Sequence, residues 1–394
     1  MTSEVFTMTR EAIREALRGA AEIEETASGL RPRRLDASAR ARMSDDGALR
    51  AADDTAGVRL VLLTAARSLT LEADISRNAD GDAAPAFPAV ILALTDGREV
   101  DRVVADVGPV RRLRDGVMQE EAGETLTHRF RLGGDGARVR EVTLHLPHTA
   151  ATLIRSVRLS SPAFPAPNGS SLRWLHHGSS ISHGHEAGDP LSSWPAAAAR
   201  ELGIELVDLS LAGNAMLDPF VADTIATTPV DLITLKVGIN PVGTAALRPR
   251  TLIPAWHGFL DRIRVAHPDV PILLISAISC PIHESTPGPT RRRPDGRHEG
   301  TPQPESPDAL TLAMTRTAID RVVAARRDPL IGVLDGRRLL GPIDAHHLHD
   351  EVHPDHNGHA LMADRFVELV TGGDATATSA LQTARRLTLL KLRR

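Results

Sequence analysis

From about residue 172 onward, short apolar runs alternate with segments of helical periodicity five times over. LRWLHHG, IELVDLSL, DLITLKVG, PILLISAIS and LIGVLDG are long enough for strands and too short for buried helices. Between them, SWPAAAARELG, MLDPFVADTIAT and TLIPAWHGFLDRIRVAH place apolar residues on one helical face. Leu310, Met314, Ala318 and Val322 line a further helix stopped at Asp328-Pro329, and HNGHALMADRFVELV supplies the last one. A strand connected to the next strand through a helix runs parallel to it, because the crossover carries the chain back. Five such units predict an α/β architecture: a five-stranded parallel sheet with helices on both faces. Sites in such sheets form outside the carboxyl ends of the strands. Ser180, Gly213, Asn240 and the loop after Ser279 all fall there.

The Pro/Ser/Gly-rich stretch PAFPAPNGSS, residues 162–171, reads as a linker. Before it the pattern is short and alternating. Residues 58–64, 69–75, 89–95, 98–107, 127–132, 139–146 and 154–161 read as strands separated by Gly, Asp and Pro. That spacing predicts an antiparallel, jelly-roll-like β-sandwich. The expected organisation is a helix (about Arg10 to Glu25) and irregular lead-in over 1–40, the sandwich over 41–165, a catalytic domain over 172–371 and a basic tail over 372–394. The tail sequence LQTARRLTLLKLRR is expected as a short helix packed on the body.

The chemistry begins at GSSISHG. A serine in a tight strand-to-helix turn exposes its hydroxyl and aims helix-terminal N–H groups at a reacting carbonyl. Such a hydroxyl needs a base, and the base needs an orienting group. DEVHPD supplies both: Asp350 and His353 stand three residues apart, so one turn can bring them together to Ser180. The expected catalytic residues are Ser180, Asp350 and His353. The backbone N–H groups of Ser180 and Gly213 and the side-chain amide of Asn240 are the expected oxyanion donors. His346, His347, His349, His356 and His359 crowd the same region, and a metal site is the rival reading there. The sequence has no HExxH motif and no cysteine pair, so no metal and no organic cofactor are expected. The Pro/Gly-rich loop over 281–307 lies at the site's edge of the sheet. It is expected to line the substrate cleft, with His283 and Glu284 nearer the site than the Arg291–Arg293 run.

A formal charge of −4 and the lack of a basic domain argue against nucleic acid as a partner. A single cysteine, Cys280, permits no intrachain disulfide. The first residues carry early acids and no apolar run, and no segment reaches the ~18 apolar residues of a membrane span. A cytoplasmic protein with no membrane span is expected.

The blocks GSSIS, SLAGNAML, VGIN and DEVHPD, in this order, resemble the SGNH, or GDSL, family of serine esterases and acyltransferases over roughly residues 172–370. The resemblance implies a flavodoxin-like α/β/α sandwich. It also implies a serine esterase that hydrolyses a carboxylic ester through an acyl-enzyme on Ser180. Ser179 stands where the family's name motif has Asp, and Pro241 where Asp is common after the asparagine. The N-terminal sandwich, GSSIS, GIN and the CPIHE…PGP loop look like a subgroup with acyltransferases of aromatic polyketide biosynthesis. Transfer of an acyl group to a hydroxyl of a secondary metabolite or sugar is therefore the alternative. A non-catalytic carbohydrate-binding protein on a hydrolase fold is the alternative of another class. The expected partner is a small-molecule ester, an acylated sugar or natural product; oligomeric state is not legible.

Overall fold

Along Arg59–Thr64 half-buried and buried residues alternate, with Leu60, Leu62 and Thr64 turned inward. This period-two burial is what a strand with one face on a core requires. The computed structural model describes residues 5–43, 45–167, 169, 171–301 and 308–391. The chain divides into two compact units, Met1–Gly169 with Gly188–Pro190, and Ser170–Ala187 with Leu191–Arg394.

The first unit holds two sheets. One runs in the order Val117–Glu121, Val110–Arg114, Ser68–Asp80, Ala150–Leu159, Gly29–Arg33, Glu22–Thr26. The other runs Ala163–Pro165, Arg59–Thr64, Arg140–His145, Ala89–Thr95, Arg98–Ala105. Leu60, Leu62, Ile91, Val142 and Leu144 from one sheet share a core with Leu69, Leu71, Phe130, Ile154 and Val157 from the other. Each such fully buried side chain contributes roughly 1.5–3 kcal/mol.

Three differences from the sequence reading stand out. The N-terminal helix covers only Arg10–Ala16, capped by the Thr9 side chain, which accepts the Ala12 N–H at 3.1 Å. The residues expected to continue it form a hairpin, Glu22–Thr26 against Gly29–Arg33. EIEET holds a single apolar residue, Ile23, and its strand is set by pairing with Gly29–Arg33. Residues 1–40 therefore include strands of the sandwich and are more than a lead-in. Second, the hairpin of Val110–Arg114 and Val117–Glu121 was not anticipated. Third, the sandwich is not wholly antiparallel. The 13-residue strand Ser68–Asp80 outruns its neighbour, and Arg77–Asp80 pair in parallel with Val110–Leu113.

The main sheet of the second unit has, among the described residues, five strands: β1 (Arg173–Gly178), β2 (Glu205–Asp208), β3 (Leu232–Lys236), β4 (Ile272–Ile275) and β5 (Ile331–Leu334). All are parallel, in the order β2-β1-β3-β4-β5. This is the flavodoxin-like order, in which the chain reverses its direction of growth between β1 and β3. The crevice at that switch point receives the loops after β1 and β3, which carry Ser180 and Asn240. Beneath it Trp174 stacks on Phe366 with ring centres 5.0 Å apart, and Trp174 Nε1 donates to Thr234 Oγ1 at 2.8 Å. The segment expected as a basic tail is the helix Ala375–Lys391. It buries Ala377, Leu381 and Ala384, and its Lys391 ammonium pairs with Asp231. Residues 392–394 of the expected tail and 302–307 of the expected loop lie outside the described residues. Among the described residues, no helix is long and apolar enough to cross a membrane.

Candidate active site

β1 ends at Gly178, and a short helix, Ser180–His183, begins at once. A Cβ on residue 178 would stand 2.5 Å from Ser182 Oγ and 3.0 Å from His176 Nε2, so only glycine permits this abrupt turn. Ser179 and Ser182 are fully buried, and Ser182 Oγ accepts the Trp194 indole N–H at 3.2 Å. Ser180 is the serine that meets a base, with its Oγ 2.9 Å from His353 Nε2.

His353 comes from a turn 173 residues further along the chain. Asp350 builds that turn from within. Its Oδ1 accepts the backbone N–H of Val352 at 3.0 Å and of His353 at 2.7 Å. Its Oδ2 accepts the His353 Nδ1–H at 2.7 Å. The same carboxylate thus shapes the backbone that presents the imidazole and fixes the tautomer that leaves Nε2 facing Ser180. Burial opposes ionisation of Asp350. The hydrogen bonds from His353 and Val352, with the charge of His353, outweigh it and hold the carboxyl well below its usual range. Burial likewise pushes His353 down, but the Asp350 hydrogen bond and the charges of Glu186 and Asp350 raise it above the ordinary histidine value.

The loop after β2 is tied to the nucleophile turn. Leu211 N–H donates to Gly178 O at 2.8 Å, and Ala212 N–H to His183 Nδ1 at 3.3 Å. Gly213 follows in the left-handed region, at φ +73°, with open space where a Cβ would stand. Asn240 lies in the short helix Ile239–Gly243 after β3. Its Oδ1 accepts the Ala215 N–H at 3.0 Å. A backbone N–H can only donate, so the carbonyl end of the amide is fixed on Ala215 and the NH₂ end turns the other way. Preorganised donors of this kind suit a developing oxyanion.

Two expectations about the loop after β4 need correction. His283 is fully buried, with Nδ1 3.1 Å from Thr286 O and Nε2 2.8 Å from Thr290 Oγ1. Glu284 forms a two-pronged pair with Arg316 at 2.6 and 2.9 Å and accepts the Cys280 N–H at 3.1 Å. His283 thus spends both ring nitrogens inside the loop, and Glu284 is committed to Arg316 on the helix Leu312–Arg326 and to the Cys280 N–H. Arg291, Arg292 and Arg293 are exposed. The residue that reaches the site is His298. The Pro294-Asp295-Gly296 turn folds Arg291–Arg292 onto His298–Glu299. His298 Nδ1 then lies 3.2 Å from Asp350 O and 3.1 Å from Asp350 Oδ2. The Pro-Asp-Gly turn signal between like-patterned residues was the available clue to this hairpin.

His298, Asp350 and His353 bring one ligand atom each within 4.8 Å of one another. Below the site, burial and the charge of Arg316 push the Lys236 amine down to about 7, against the opposing Cys280 thiol. Burial and the charges of Glu284 and Asp350 push that thiol up to about 12. A thiol so shifted is not a nucleophile near neutrality.

Residues 177–361 match the GDSL-like lipase/acylhydrolase family. Among solved structures, the chain is similar to the salicylyl-acyltransferase SsfX3 from a tetracycline biosynthetic pathway. Identity is 26% and the TM-score 0.77, over 95% of this chain and 98% of that one. A protein from Bacteroides ovatus described as a GDSL-like lipase aligns at 18% identity and TM-score 0.66, covering 93% of this chain and 97% of that one. A family two carbohydrate esterase from Clostridium thermocellum, in complex with cellohexaose, aligns at 12% identity and TM-score 0.57, over 95% and 100%. No curated protein matches the sequence. Residues 177–361 thus form a GDSL-like lipase/acylhydrolase domain, and the chain is an ester-hydrolysing or acyl-transferring enzyme.

Proposed function

We propose that the enzyme is a serine esterase working through an acyl-enzyme on Ser180, with His353 as base and Asp350 as its orienting carboxylate. The observation that carries this reading is the chain of contacts Ser180 Oγ–His353 Nε2 at 2.9 Å and His353 Nδ1–Asp350 Oδ2 at 2.7 Å. Ser180 Oγ attacks the ester carbonyl carbon while its proton passes to His353 Nε2. The carbonyl oxygen becomes an oxyanion facing the N–H groups of Ser180 and Gly213 and the Asn240 amide. Collapse breaks the ester C–O bond, and the departing alcohol takes the proton from His353. Water then attacks the acyl carbon while giving a proton to the same nitrogen, and collapse breaks the bond to Ser180 Oγ, which takes that proton back from His353 as the acid is released. In this reading residues 172–371 carry the chemistry, and the sandwich, with its strands Glu22–Thr26 and Gly29–Arg33, is an accessory domain. No step calls for a metal or organic cofactor.

A second reading is favoured by the near-complete alignment with an acyltransferase. Its first half is identical, and a hydroxyl of a natural product or sugar replaces water in the second. The lone cysteine is consistent with a reducing, cytoplasmic setting.

The test is a p-nitrophenyl ester series with wild type and Ser180→Ala. Turnover should fall at least ~10³-fold in the variant. A phosphonate label on Ser179 or Ser182 would remove the assignment. Product analysis with added alcohols separates hydrolysis from transfer.

A further inference from the structure

Asp350 has a second histidine. His298 reaches it from the hairpin after β4, a different part of the chain from the turn carrying His353. The His298 backbone N–H donates to Asp350 O at 3.0 Å, which fixes the hairpin on the turn. Beside it, Arg297 Nη1 pairs with Glu351 Oε1 at 2.8 Å. With these two anchors, His298 Nδ1 faces two acceptors of one residue, Asp350 O at 3.2 Å and Oδ2 at 3.1 Å. Only a donor suits two oxygens, so Nδ1 carries a proton. The Oδ2 it approaches is the one that accepts the His353 Nδ1–H at 2.7 Å. The two rings stand 6.0 Å apart, edge to face at 70°.

We propose that His298 is a positioning residue: it shares Asp350 Oδ2 with His353 and so limits how strongly that carboxylate stabilises the protonated base. A carboxylate that gives part of its charge to one donor has less for another. His353 is faced by Asp350 on its own turn, by Glu186 on the turn after the nucleophile helix, and by His298. Beyond His298 stand the Arg297–Glu351 pair and the buried His283. The hairpin would then set the pH at which the base becomes active, rather than touch the reacting atoms.

This inference rests on the Ser180–His353–Asp350 reading, and its test separates the two. The acid limb of kcat/KM for a p-nitrophenyl ester is measured for wild type, His298→Ala and His298→Asn. His298→Ala should move the limb to higher pH by about 0.5–1 unit, because His353 then holds its proton more tightly. His298→Asn places an amide donor near the position of Nδ1 and should restore most of the wild-type limb. The backbone anchor to Asp350 O survives in both variants, so the hairpin should remain in place. If His298→Ala lowers kcat with no shift of the limb, or if Asn and Ala behave alike, the residue is merely structural and the proposal fails. If Ser180→Ala keeps its activity, the underlying catalytic reading has failed instead.

Discussion

Asn240 Oδ1 accepts the backbone N–H of Ala215 at 3.0 Å, two residues beyond Gly213. The two candidate oxyanion donors after β2 and β3 are therefore mechanically joined: the group that aims the Asn240 amide also braces the Gly213 loop. This predicts that two substitutions will differ. Asn240→Asp keeps the acceptor for Ala215 and loses the donor. It should lower kcat by ~10²–10³ with little change in thermal midpoint. Asn240→Ala loses both and should lower kcat similarly while also lowering the midpoint. Unchanged kcat with a raised KM in the aspartate variant would make Asn240 a ground-state binding residue.

The pH dependence follows from the His353–Asp350 pair. Burial acts to lower His353, but its bond to Asp350 and the charges of Glu186 and Asp350 raise it above 6.5. A raised base stays protonated, and inactive, to higher pH, so the acid limb of kcat/KM should lie above that ordinary value. Asp350→Asn removes the counter-charge, and the limb should move to lower pH while the plateau falls on the order of 10³–10⁴. The relative loss should accordingly be greatest at neutral and alkaline pH. A limb that does not move would mean that Asp350 does not govern the ionisation of His353.

The contrast between His353 and His298 explains how much of the site was legible in the sequence. Asp350 and His353 meet through a three-residue turn, so local spacing revealed their contact. The β1 turn at Ser180 and the candidate donors at Gly213 and Asn240 follow from strand ends, which hydrophobic periodicity locates. His298 arrives by a hairpin of two-residue strands inside a polar loop, where periodicity carries no signal. The same loop misled the reading of His283 and Glu284. Nothing in CPIHE reveals that Arg316, 32 residues away, claims the carboxylate. At the N-terminus, REAIREALRG was correctly helical at its start. The strand that replaces its expected end is dictated by pairing with Gly29–Arg33, a tertiary event.

Glu284 offers a direct check of that correction. Arg316 is only 8% exposed, and beyond Glu284 its guanidinium reaches the carbonyls of Ala277 and Ile278. Glu284→Ala leaves that cation without its counter-charge at the end of β4. The expected cost is about 1–3 kcal/mol, read as a lowered urea midpoint, less than a wholly buried pair because the carboxylate is partly exposed. KM for small esters should stay near wild type in the folded fraction. A large rise in KM without loss of stability would restore Glu284 as a substrate ligand.

The last prediction concerns Lys236, at the end of β3, whose side chain is almost wholly buried. Burial, with the charge of Arg316, pushes its amine from 10.5 down to about 7. Between those values the unfolded chain binds a proton that the folded chain does not. Stability therefore rises with pH across the window from about 7 to 10.5, and the lysine is most unfavourable at and below its lower end. Lys236→Met keeps a similar volume and removes the ionisable group. At pH 7 the variant should be more stable, by about 1–4 kcal/mol, and the gain should shrink toward zero as pH approaches the unfolded value. Urea midpoints of both proteins at neutral and alkaline pH measure this directly. An equal gain at both pH values would assign the effect to packing, and no gain at neutral pH would mean that the amine is solvated.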